Sequence, residues 1–72
     1  MSKPQPGEIY IEFISIGSQV KAIAVDAATG VEVSVFGPSS VSQSDLQNLA
    51  VRKLKKRLND LASKVDRPGK WV

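Results

Sequence analysis

Apolar residues crowd both parities of three short segments, residues 8–16, 19–26 and 31–36, before the pattern changes period. Each segment is rich in β-branched or aromatic side chains, which favours strands. Gly17-Ser18 falls between the first two, where glycine first suits the type II′ turn of a two-residue hairpin. Asp26-Ala27-Ala28-Thr29-Gly30 reads as a hairpin loop over residues 27–30. In it the Asp26 carboxylate caps the turn and Gly30 takes the left-handed conformation. Gly37-Pro38 is expected to end the third strand, because proline has no N–H to donate and restricts the residue before it.

The two turns fix two registers. The first sets Ile16 against Gln19, Phe13 against Ala22 and Ile11 against Ala24. The second sets Asp26 against Val31, Ala24 against Val33 and Ala22 against Val35. Side chains alternate between faces, so these registers assign a face to every residue. One face collects Ile9, Ile11, Phe13, Val20, Ala22, Ala24, Val31, Val33 and Val35, with small alanines in the central strand where a helix can lie close. The other carries Tyr10, Ile14, Ile16, Ile23, Val25 and Phe36 among Glu8, Glu12, Lys21 and Glu32. A solvated face is normally polar throughout. Bulky apolar side chains in this number make a patch of roughly several hundred Å2, the size that often marks an interaction site.

Beyond the polar linker of residues 39–44 the period becomes helical. Ser42-Gln43-Ser44-Asp45 fits a capping box, and Ser44 with Gln47 is an alternative start. At 100° per residue, Leu46, Ala50, Leu61, Leu54, Val65, Leu58, Val51 and Ala62 fill one arc, and the helix is expected to run to Lys64 or Asp66 before Pro68-Gly69. Burying the four leucines of that arc would contribute on the order of 6–12 kcal/mol before entropy is subtracted. Leu49 falls outside the arc, among Arg52, Lys53 and Lys56; it is either simply exposed or in contact with a neighbouring subunit. Asp45 near the start, and Lys64 and Arg67 near the end, complement the helix dipole.

The expected fold class is therefore α+β: a three-stranded antiparallel meander followed by one long amphipathic helix, over residues 8–66. Residues 1–7, with Pro4 and Pro6, are expected to form a loose arm, and residues 67–72 a tail whose Trp71 is a candidate to fold back onto the uncovered sheet face. Three strands with two apolar faces and one helix leave a face without cover. A second copy of the chain is the simplest cover, giving a homodimer with contacts from Tyr10, Ile14, Ile23, Val25 and Phe36, with Leu49 as a further candidate. The linker over residues 39–44 would also allow the helix to cross to the partner's sheet in an intertwined version.

Composition narrows the chemistry. Seventy-two residues make one small domain, and a core of that size is marginal unless disulfides, a metal or self-association supports it. Cysteine and histidine are both absent, which removes bridges, a thiolate nucleophile, Cys-based zinc and the usual general base. Asp26 and Thr29 are explained by their turn and the serines over residues 39–44 by capping. No phosphate loop, metal spacing or nucleophile–base pair is present, so no enzyme activity and no cofactor are expected. The longest apolar run is too short for a bilayer, and Met-Ser-Lys-Pro-Gln-Pro lacks a signal-peptide core. The expectation is a soluble cytoplasmic protein.

The net charge of +3 is mild. It is concentrated in Arg52, Lys53, Lys55, Lys56 and Arg57, which contact phosphates of a nucleic acid, lie against an anionic membrane surface, or are the solvated positions of an amphipathic helix. No base-stacking aromatic motif accompanies them. An unidentified protein is the leading partner and nucleic acid the alternative.

Gly7-Glu8, Asp26-Ala27-Ala28-Thr29-Gly30, Gly37-Pro38 and Ala50-Val51-Arg52-Lys53-Leu54 together resemble a family of short, uncharacterised alphaproteobacterial proteins over residues 7–62. The resemblance implies a bacterial cytosolic setting and the order strand-strand-strand-helix; it supplies no activity and no site residues. Lys55-Lys56-Arg57 is more basic than the resemblance implies, so a role for that segment would be particular to this chain.

Overall fold

The computed structural model describes residues 8–65, with side chains through residue 62. The expected arm over 1–7, the tail over 67–72 and the fold-back of Trp71 lie outside the described residues. The order is β1 (Ile9–Ile16), β2 (Gln19–Asp26), β3 (Glu32–Pro38) and α1 (Gln43–Val65). The strands form one antiparallel sheet in the order β1-β2-β3. This is the α+β meander-plus-helix class that the pattern predicts.

Both turns form as their residues dictate. Gly17 has φ +61° and, among the described residues, none but glycine has positive φ, so Ser18 is on the negative side and the turn is of the II′ kind. At the second turn the Asp26 carboxylate accepts from the Thr29 N–H at 3.0 Å and from the Thr29 hydroxyl at 2.7 Å. The Gly30 N–H donates to the Asp26 carbonyl at 2.8 Å with Gly30 at φ +78°. Asp26 is 6% exposed, a buried carboxylate whose acceptors are used within its own loop. The expected registers follow: Ile16 faces Gln19, Phe13 faces Ala22, and Ala22 faces Val35.

The third strand runs further than expected. It continues through Gly37 and Pro38, which pair with Val20 and Gln19, and the Ser39 N–H donates to the Ser18 carbonyl at 2.9 Å. Hydrogen-bonded pairs alternate along an antiparallel ladder. Because Asp26 donates to Val31 and Ser39 to Ser18, Pro38 occupies a position whose N–H would point away from β2. A proline there costs the ladder nothing.

Of the two candidate caps the helix uses Ser42: its hydroxyl accepts from the Asp45 N–H at 3.0 Å, and its carbonyl accepts from Leu46. The helix lies on β2 and β3. Leu46, Ala50 and Leu54 bury themselves against Ala22, Ala24 and Val35. Gly37 sits under Leu46, where a Cβ would come within 3.1 Å of Leu46 Cδ1.

Two expectations about the lid are corrected. The helix covers two strands, so Ile9, Ile11 and Phe13 on the inner side of β1 are only half-buried. A helix about 10 Å wide spans two strands set about 4.8 Å apart, not three. Leu61 and Ala62, placed on the buried arc by periodicity, are exposed, and Leu58 and Val51 are half-buried. Helices rise about 1.5 Å per residue and strands about 3.3 Å, so roughly two helix residues pass each strand residue. Leu46 lies beside Gly37 and Lys53 beside Ser34, which brings the helix to the first residue of β3 near Arg57. Leu61 is past the end of the sheet. The two leucines that are fully buried, Leu46 and Leu54, contribute about 3–6 kcal/mol gross.

Candidate interaction surfaces

The outer face of the sheet consists of cross-strand rows. Tyr10, Val25 and Glu32 form one; Glu12, Ile23 and Ser34 the next; Ile14, Lys21 and Phe36 the third. Tyr10, Ile16 and Phe36 are each more than half exposed, and Ile14 is 37% exposed. Ile23 and Val25, on the central strand, are half-buried by their neighbours. Lys21 lays its stem along this face and holds its ammonium 5.7 Å from the centre of the Phe36 ring. Five of the six predicted contact residues thus share one surface. Leu49 does not join them: it is 46% exposed but belongs to the helix, on the opposite side of the sheet. Ile16 completes the surface, and its parity with Ile14 is the signal that finds it.

The basic run divides around the helix. Arg52, Lys53, Lys55, Lys56 and Arg57 are all exposed. Lys53, Lys56 and Arg57 line an open cleft of about 460 Å3 between the helix and β3, together with Glu32, Val33, Ser34 and Asp60. Within it the Lys53 ammonium donates to the Ser34 carbonyl at 3.0 Å, and Lys56 lies 3.5 Å from the Asp60 carboxylate. Arg52 and Lys55 do not line that cleft. Two carboxylates, Glu32 and Asp60, stand among the three cations of the cleft.

Sequence reasoning missed the edges of the sheet. The Ala27 N–H donates to the Glu8 carbonyl at 3.0 Å, so by alternation the even-numbered residues of β1 exchange hydrogen bonds with β2. Ile9, Ile11, Phe13 and Ser15 then direct their backbone groups to the open edge. The signal was present in the chain: a two-residue turn makes Ile16 and Gln19 a hydrogen-bonded pair and fixes every parity upstream.

Among the described residues, no group of three or more Asp, Glu, His or Cys side chains could hold a metal, and no helix is long and apolar enough to cross a membrane. Fold and surfaces define the class: a small α+β domain with one helix-covered sheet face and one open face. The chain belongs to the family described as a domain of unknown function (DUF6898), matched over residues 6–61. No curated protein and no solved structure matches it.

Proposed function

We propose that the protein is a non-enzymatic, homodimeric protein-interaction module of the bacterial cytoplasm, which self-associates through the sheet layer its own helix leaves open. The single observation that carries this reading is the exposure of Tyr10, Ile14, Ile16 and Phe36 on one face of a sheet whose other face is packed. A domain this small gains proportionally more from covering such a face than a large one does. Ile23 and Val25 sit at the centre of the open face, and what the dimer leaves open receives a protein partner.

Sedimentation at micromolar concentration tests the reading: a dimer is expected, and a monomer of 7.8 kDa overturns it. Tyr10→Lys is expected to shift the dimer to monomer, with circular dichroism confirming that the variant is folded. A second reading, in which paired helices bind nucleic acid, is favoured by the exposure of all five cations between residues 52 and 57. Salt-sensitive binding to random-sequence DNA or RNA separates the two.

A further inference from the structure

The two edges of the sheet are treated differently. On β3 the outward groups belong to the residues that do not bond β2. There Lys53 occupies the Ser34 carbonyl, and Pro38 has no N–H to offer. Charge and proline are common ways of closing an edge to further strands. β1 carries neither. It is eight residues long, paired with β2 throughout without a bulge, and the helix lies over the other two strands. Its open edge presents the backbone of Ile9, Ile11, Phe13 and Ser15, and above that edge Ile11 and Phe13 are only half-covered.

We propose that β1 pairs along this edge with β1 of a second copy, antiparallel, to make one six-stranded sheet across a two-fold axis, with Phe13 facing the partner's Phe13. This rests on the self-association proposed above and gives it a geometry. Stacking two outer faces instead would bring Glu12 and Glu32 of each copy together against one Lys21 apiece, an excess of acid in a drying interface. Side-by-side pairing keeps those faces in water and leaves them for a protein partner.

The register follows from the side chains. A two-fold antiparallel pair sets residues of equal parity opposite each other, so the axis passes through a residue. With Glu12 on the axis, two carboxylates face each other at the closest kind of pair, which is destabilising. With Ile11 on the axis, Tyr10 meets the partner's Glu12, Ile14 meets the partner's Glu8, and Ile16 stays uncovered. With Phe13 on the axis, Tyr10 meets the partner's Ile16, Glu12 meets the partner's Ile14, and Ile11 meets the partner's Ser15. That register alone covers the exposed pair Tyr10 and Ile16 mutually, and it stacks the half-buried Phe13 rings on the inner side, where the helix does not reach.

Amide exchange by NMR, below and above the concentration at which sedimentation shows association, tests this on the unaltered chain. Tyr10, Glu12 and Ile14 are expected to be protected at both concentrations. Ile11, Phe13 and Ser15 are expected to become about tenfold slower once nine-tenths of the chains are paired. The chain has no cysteine, so single-cysteine variants report the register directly. Phe13→Cys is expected to form a disulfide-linked dimer under mild oxidation and Glu12→Cys is not. A sedimenting dimer in which Ile11, Phe13 and Ser15 still exchange fast overturns the edge pairing while leaving self-association intact. Cross-linking at Glu12→Cys overturns the register, and a monomer at every concentration overturns both proposals.

Discussion

Ala22, Ala24 and Val35 on one side of the sheet, and Ile23, Val25 and Phe36 on the other, alternate along the same two strands. The first set is dry, while the second is half-buried or exposed. Residue type does not explain the difference, since the outer set is the larger and more apolar. Size does: alanines in the central strand let a helix approach, and only a surface that admits the helix is packed to interior density. The bulky outer residues make a face suited to another sheet or protein rather than to this chain's own helix.

Matched substitutions on the two faces break that comparison most sharply. Leu54 is fully buried at the centre of the core. Leu54→Ala is expected to cost about 2–5 kcal/mol, read as a shift in the urea midpoint. For a chain of this size that is a large share of total stability, which runs near 0.05–0.15 kcal/mol per residue. Tyr10→Lys on the opposite face is expected to spare most of the fold and remove the dimer. If Leu54→Ala is mild and Tyr10→Lys unfolds the monomer, the assignment of inner and outer faces fails.

The meander, its registers and both faces were legible because two glycine-containing turns fix parity independently and agree. What the chain did not yield is lateral and longitudinal placement. Helical periodicity says which side of a helix is apolar, not which two of three strands it will cover. It therefore marked Leu61 as core, although the helix outruns the sheet before reaching it. Proline's missing donor predicts a stop at Pro38, yet parity places that missing donor on the open side. An apolar residue off the main arc, such as Leu49, carries no information about which layer it serves. The open edge of β1 is backbone chemistry, and side-chain patterning does not display it.

The turns that make parity readable are themselves testable. Asp26→Ala removes the acceptor for the Thr29 N–H and hydroxyl in a loop where Asp26 is buried. A loss of about 1–3 kcal/mol is expected in thermal or urea unfolding. Asp26→Asn keeps one acceptor oxygen and is expected to lose less. Equal losses in both variants would mean that packing rather than hydrogen bonding holds the loop. At the helix start, Ser42→Ala is expected to cost about 1 kcal/mol and Ser44→Ala much less, because only Ser42 caps the first turn. The reverse order would move the helix start to the second candidate.

The smallest stability effect belongs to the basic run, and it sharpens the comparison between the open face and the helix as rival contact surfaces. Lys55, Lys56 and Arg57 are exposed, and the ion pair of Lys56 with Asp60 is a surface pair of the kind worth at most about 1 kcal/mol. Changing all three to glutamate is expected to alter unfolding by no more than about 0.5 kcal/mol per site. It is expected to leave the dimer intact, since none of the three lies on the sheet. The informative measurement is binding to random-sequence DNA and RNA at low salt. A nucleic-acid role predicts retention that weakens with added salt and disappears in the glutamate variant, because each neutralised phosphate releases a counterion. The reading adopted here predicts no retention by either protein. The cleft between helix and β3 supplies the reason: Glu32 and Asp60 stand beside Lys53, Lys56 and Arg57, so a phosphate entering it meets carboxylates along with cations.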